Sequence, residues 1–297
     1  KIINLLLFIV FLATLSSCSI NNKEISVFYY DENDIFLNQL SQKLTKNLSS
    51  KYKITNYYAN KSQVKQNLQV DEVLHKSSLV LMNMVDRLAS GAVVEKCKKE
   101  NIPIIFFNRE PLLEDLVDYD NCYYVGPDPD KQGKLQVLCA ANIFGSPSSL
   151  NPKYDLNHDN KIQFVLLKGE QGHQDAERRT QSCLSNIKQM GYDVELISIG
   201  VCNWNRTEAY NLLWSQYNQT LKDVELILAN NDEMAIGAAT FLNEKKASPT
   251  DSIIPVIGVD ATDAGIEAVN NKLLASTIIN EKFIYIDSKI YGSDGEN

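Results

Sequence analysis

The chain has 297 residues, 44% of them hydrophobic and 22% charged, with a formal net charge of −8. That length buries a large core and accommodates two domains, and the composition is ordinary for a soluble α/β protein. The acidic balance, with no basic run of five or more residues, argues against a nucleic-acid partner.

At the start, Lys1 precedes the apolar run IINLLLFIVFLATL. It has the length of a signal-peptide core and falls short of the roughly 20 apolar residues of a membrane span. The following Leu15-Ser16-Ser17-Cys18 resembles a bacterial lipobox. That resemblance implies a signal peptide over residues 1–17, acylation of Cys18, and a short tether over 18–24. The protein is then exported and anchored by lipid to the cell membrane, facing the periplasm or exterior. A plain signal peptide with an incidental cysteine is the alternative. The first residue is not Met, so the start is expected to be clipped. Of the other cysteines, Cys97, Cys122, Cys139, Cys183 and Cys202 are odd in number and form no C-x-x-C pair, which predicts neither a disulfide framework nor a zinc site.

From residue 25 onward, β-like runs alternate with amphipathic stretches. The spacing predicts strands at 25–30, 53–58, 78–83, 102–108 and 122–126, with helices near 36–50, 62–76 and 89–100. A second series follows, with strands at 162–169, 193–199, 224–230, 253–260 and 274–279. Its helices are predicted near 174–190, 206–220, 232–246 and 263–271. Strand runs without polar alternation predict sheets covered on both faces, and β–α alternation predicts parallel order with right-handed crossovers. The expected fold class is therefore α/β, with two doubly wound parallel-sheet lobes. Ligands of such sheets bind beyond the C-terminal strand ends. Asn83, Asn230-Asn231-Asp232, Asp260 and Asn280 all stand at such ends. Each can instead cap a turn or helix, work that Asn and Asp do well.

The stretch DLNHDNKIQ at 155–163 has the D-x-[DN]-x-[DN] opening of an EF-hand-like calcium loop. Asp155, Asn157, Asp159 and Gln163 offer side-chain oxygens, and Lys161 its backbone carbonyl. Asn160 takes the place of the turn glycine and tolerates a left-handed backbone. The twelfth position is Leu166, so the closing carboxylate must come from elsewhere. Glu225 is the candidate, because it begins a strand expected beside IQFVLL. With no second helix, the loop reads as structural Ca2+ binding rather than a switch.

In KGEQGHQDAERRT (168–180), His173, Asp175 and Arg179 stand where a strand gives way to a helix. Asp175 and Arg179, four apart, face one side and combine an acceptor with a fork of donors, suited to a polyhydroxylated ligand. The bland reading makes Asp175 the helix cap and the two an exposed pair. Arg178 is a decoy beside them. Trp204, in the polar loop CNWNR, and Phe36, after Asp34, supply rings that suit the apolar face of a pyranose. Trp214, in a helix, reads as core.

The segments MNMVDRLASGAVVEKCKKENIPIIFFNREP, CYYVG, DLNHDNKIQFVLLKGEQGHQDAERRT, ANNDEMAIGA, PVIGVDA and STIIN resemble the periplasmic galactose/glucose-binding proteins of sugar ABC importers, of the periplasmic binding protein type I class, over roughly 25–280. The resemblance implies an N-terminal lobe of 25–126 plus 280–297 and a C-terminal lobe of 128–279, joined by hinges near 126–128 and 279–282. It implies sugar contacts at Asp34, Phe36, Asn83, His173, Asp175, Arg179, Trp204, Asn231, Asp260 and Asn280, and the calcium ligands named above, Glu225 included. It further implies a monomeric receptor for D-galactose or D-glucose, an ABC permease as partner, and no enzymatic activity. A sensor serving a chemoreceptor or sensor kinase is a second expectation, and a glycosidase using Asp34, Asp175 or Asp260 a third. Only EKFIYIDSKIYGSDGEN follows Asn280, where family members continue for several dozen residues. A truncated C-terminus holding most of one helix is therefore expected.

Overall fold

The computed structural model describes residues 24–217, 219, 221, 223–245, 254–280, 283–286 and 289–291. The expected signal peptide and Cys18 lie outside the described residues, as does the tether except for its last residue. No helix among the described residues is long and apolar enough to cross a membrane. The chain divides into two units, Lys1–Pro127 with Glu281–Asn297, and Asp128–Asn280.

In the first unit β1 (Glu24–Tyr29), β2 (Lys53–Tyr58), β3 (Ser77–Met82), β4 (Ile104–Phe107) and β5 (Cys122–Gly126) pair in parallel. Helices α1 (Ile35–Leu48), α2 (Gln63–Val73), α3 (Ser90–Lys99) and the short α4 (Leu113–Val117) connect them. The pleat of β1 sends Phe28 into one apolar cluster and Ile25, Val27 and Tyr29 into another. Both faces of the sheet are thus covered, as a continuous apolar strand requires.

The last strands correct an expectation. In place of most of a helix after Asn280, β13 (Phe283–Ile286) runs antiparallel to β5 and β14 (Lys289–Tyr291) pairs with β13. Their sequences, FIYI and KIY, are rich in β-branched and aromatic residues that suit a pleated surface. The seven-stranded order is β14-β13-β5-β4-β3-β1-β2.

The second unit opens with α5 (Pro129–Phe144), which a small antiparallel hairpin of β6 (Gly145–Ser146) and β7 (Ser149–Leu150) follows. Strands β8 (Ile162–Lys168), β9 (Val194–Val201), β10 (Leu226–Ala229), β11 (Val256–Asp260) and β12 (Ser276–Ile279) form a parallel sheet in the order β12-β11-β10-β8-β9. Helices α6 (Gln174–Gln189), α7 (Arg206–Gln216), α8 (Asp232–Lys245) and α9 (Asp263–Asn270) link them. All seven residues of β8 are buried, with Val165 and Leu167 in one cluster and Phe164 and Leu166 in the other.

In each unit the chain starts inside the sheet, adds one strand to one side and then builds outward on the other. The turnover points lie between β1 and β3 and between β8 and β10, the places where a doubly wound sheet opens a ligand crevice. Asn280 belongs to the second unit rather than to the returning segment of the first. Its side chain is bonded to Gln132 and Asp260 there.

Candidate functional site

In the second unit seven of the expected ligand residues stand at or just beyond the C-terminal ends of β8 to β12. After β8 the chain turns through Gly172, at φ +81°, into α6. His173, rather than Asp175, is the helix cap, its Nδ1 accepting from the Asp175 N–H at 3.2 Å. An accepting Nδ1 leaves the proton of the neutral ring on Nε2. Asp175 and Arg179 are not an exposed pair: they are 4% and 2% exposed. Arg178 does turn outward, to Asp130 at 2.5 Å.

Arg179 donates from Nε and Nη2 to Gln132 Oε1 (3.1 and 2.5 Å) and from Nη1 to the Asn230 carbonyl. Gln132 Nε2 in turn donates to Asn280 Oδ1 at 3.3 Å, and Asn280 Nδ2 to Asp260 Oδ1 at 3.0 Å. Asp260 ends β11 at φ +110°, with Ala261 at +47°. Such a backbone costs a non-glycine residue energy and persists only where its surroundings impose it. The loop is held by buried Asp232, which accepts from the Thr262 N–H (2.8 Å), the Thr262 hydroxyl (2.9 Å) and the Thr277 hydroxyl (2.5 Å). Burial raises the Asp232 pKa against those donors.

Trp204 follows β9 in a left-handed turn, φ +62°, and its carbonyl accepts from Asn231 Nδ2 at 3.2 Å. Asn231 Oδ1 meanwhile accepts from the Met234 N–H at 3.0 Å, in the first turn of α8. The indole lies over Gly169, where a Cβ would come 2.3 Å from Cζ2. The His173 ring meets the indole edge-on, centroids 5.0 Å apart.

In the first unit, Asp34 caps α1, accepting from the Leu37 N–H at 2.9 Å, and also accepts from the Tyr30 hydroxyl at 2.9 Å. The residue is half-buried overall, yet its carboxyl is desolvated enough to raise its pKa against these donors and nearby Arg109. Phe36 is partly buried against the apolar cluster of β1. Asn83 is fully buried. Its Oδ1 accepts from the Tyr30 N–H (3.1 Å), and Nδ2 donates to the Phe107 carbonyl (3.3 Å) and Asn108 Oδ1 (3.1 Å). The Arg109 guanidinium lies 3.9 Å above the Tyr30 ring and donates to the Val85 carbonyl at 2.6 Å. These bonds place all three expected residues near the ends of β1 and β3.

The loop at 155–163 wraps around its own oxygens. Asp159 Oδ1 accepts from the Lys161 N–H (2.8 Å), Asp155 Oδ2 from the Asn160 N–H (3.2 Å), and Asn157 Oδ1 from the Asp159 N–H (3.0 Å). His158 and Asn160 adopt φ of +59° and +61°. Glu225, 1% exposed, precedes β10 and accepts from the Leu156 N–H at 2.5 Å. Its own N–H donates to the Gln163 carbonyl at 2.8 Å. Burial raises the Glu225 pKa, and the Asp155 charge adds to the rise.

Among the described residues no three His, Cys, Asp or Glu side chains gather into a metal group by themselves. The loop's remaining oxygens are amides and a main-chain carbonyl, which a hard cation also accepts. Asp155 Oδ1 and Gln163 Oε1 are buried without a hydrogen-bond partner. Two buried acceptors left unmet beside a buried carboxylate fit a cation.

Gln132, Gly169, Asn108 and Arg109 are absent from the sequence-based set. Asn108 and Arg109 directly follow β4 and thus carry the strand-end signal used elsewhere. Gly169 follows β8 but offers no polar side chain, and Gln132 acts through partners distant in sequence, so neither carries that signal.

A model described as periplasmic binding protein domain matches residues 25–286. The D-galactose/methyl-galactoside binding periplasmic protein of Haemophilus influenzae is 33% identical over 276 residues, covering 91% of this chain and 79% of its own. The ribose import binding protein of Escherichia coli is 24% identical, covering 70% and 62%. Among solved structures, an ABC transporter solute-binding protein of Bacillus halodurans with bound myo-inositol superposes with a TM-score of 0.72 at 20% identity, covering 94% and 97%. One of Actinobacillus succinogenes with bound D-allose gives 0.73 at 20%, covering 85% and 84%. The chain therefore belongs to the periplasmic binding protein family, whose members are solute-binding receptors and not enzymes.

Proposed function

We propose that this protein is an exported receptor that binds D-galactose or D-glucose and hands it to an ABC permease. The observation that carries the reading is the set at the strand ends of the second unit. An indole face stands there with the acceptors Asp175 and Asp260 and the donors Arg179, His173 and Asn280. A sugar hydroxyl donates once and accepts twice, so a water-poor sugar site needs both kinds of group beside an apolar surface. Asn231 ties the Trp204 backbone carbonyl, and in the first unit the same reading makes Asp34, Phe36 and Asn83 ligand residues. The similarity to a galactoside-binding relative supports hexose over pentose as the ligand.

In the same reading Asp155, Asn157, Asp159, Gln163, Glu225 and the Lys161 carbonyl hold a structural calcium ion, and acylated Cys18 anchors the protein. Titration of tryptophan fluorescence with galactose, glucose and ribose tests the central claim. Saturation by the two hexoses and not by ribose is the expected result; no response from folded protein would overturn it. A deletion strain that keeps galactose uptake and loses taxis toward galactose would reassign the receptor to chemosensing.

A further inference from the structure

We propose that Gln132 is a positioning residue for ligand binding, its amide setting the direction in which Asn280 and Asp260 present donors and acceptors. The inference rests on the receptor reading and deepens it.

An amide has two orientations, and its neighbours must choose between them. Arginine only donates, so Gln132 must turn Oε1 toward Arg179, which it meets through Nε and Nη2. Nε2 is then committed to Asn280 Oδ1. That commits Asn280 Nδ2 to Asp260, whose carboxylate only accepts. Every hydrogen bond in the row Arg179, Gln132, Asn280, Asp260 therefore runs in one sense, fixed at both ends.

The backbone beneath Gln132 is equally fixed. One turn along α5, Gln136 Nε2 donates to the carbonyls of Ala229 (2.8 Å) and Ile257 (3.1 Å), tying the helix to β10 and β11. Gly133 lets α6 approach so closely that a Cβ would stand 2.6 Å from the Arg179 carbonyl oxygen. Gln132 itself is 3% exposed.

A hydroxyl seated against this row must donate to Asp260 and accept from Asn280. With Asn280 reversed, two acceptors would face each other and the hydroxyl would have no donor there. Gln132 thus specifies a ligand hydroxyl at this point without being required to touch it.

Gln132→Glu tests this, because glutamate keeps the size and still accepts from Arg179 but offers Asn280 no proton. Galactose affinity is expected to fall roughly ten- to hundredfold, the range for hydrogen bonds involving charged groups. In an Asn280→Ala background the same substitution should cost little more, since its effect passes through Asn280. Additive losses, or an affinity within about twofold of the wild type, would overturn the proposal. A second readout needs no sugar: the side-chain amide NMR signals of Asn280 should move strongly in Gln132→Glu while those of Asn231 stay in place. Unmoved Asn280 signals would also overturn it. If the wild type bound no hexose but the Asn280 signals moved, the hexose reading would fail and the positioning role would stand.

Discussion

Trp204 illustrates how much one side chain depends on its neighbours. Its left-handed backbone is tied by Asn231, and its ring lies on a glycine. Removing the ring while leaving the turn should weaken recognition without unfolding the unit. Trp204→Ala is expected to weaken hexose binding by about 2–3 kcal/mol of lost apolar contact, measured by calorimetry, with an unchanged circular dichroism spectrum. Gly169→Ala asks the complementary question. The new methyl must displace the indole, so affinity should drop about tenfold and the Trp204 emission should shift. Wild-type emission and affinity would mean that the ring is not held there.

At this scale the strand-end polar residues were legible in the sequence, but their competing uses were not. Asp34 and Asn231 each cap a helix and are also expected to meet ligand. One carboxylate or amide has enough lone pairs for both, so capping and binding are not alternatives.

Among the elements, the loop at 155–163 depends on a residue well outside it. Glu225 reaches it because β10 lies beside β8, in the register Leu226 to Phe164. Glu225→Gln is expected to weaken calcium binding about tenfold or more and to reduce the calcium-induced rise in Tm, with sugar affinity little altered at saturating calcium. The pH dependence has a definite sign. The Glu225 pKa is raised, so in calcium-free protein its ionisation costs stability as pH rises through that pKa. Calcium binding needs the ionised form. The calcium-induced rise in Tm should therefore be largest at neutral pH, shrink as pH falls and Glu225 takes up its proton, and depend less on pH in Glu225→Gln. Calorimetry with calcium and with chelator would show it, and a pH-independent increment would exclude Glu225 as a ligand.

Helix α5 shows where element prediction fails. The helices expected from the sequence do not include it. Gln132, Gly133 and Gln136 are buried along with Pro129, Val137, Ala140 and Phe144, so the apolar periodicity on which prediction relies is broken. That face is polar at Gln132 and Gln136 because they serve Arg179 and the carbonyls of Ala229 and Ile257.

For the whole molecule, a ligand that binds only the folded protein must stabilise it. Galactose at a hundred times its dissociation constant should add about 2.7 kcal/mol and raise Tm, whereas ribose should leave Tm unchanged. A rise with ribose equal to that with galactose would point to a broader sugar specificity.

Local patterning by itself determined the α/β class, the parallel order and the strand ends that carry polar groups. Unbroken apolar strands can be buried only between two helical layers, and parallel neighbours require crossovers. Tertiary structure alone decided what sequence distance conceals. It set Gly169 under Trp204 and placed Gln132 between Arg179 and Asn280. It also added β13 to the open edge of β5 where a helix was expected. Periodicity reports which face of an element is buried; which partner that face meets depends on strand order and helix approach, and these are properties of the folded chain.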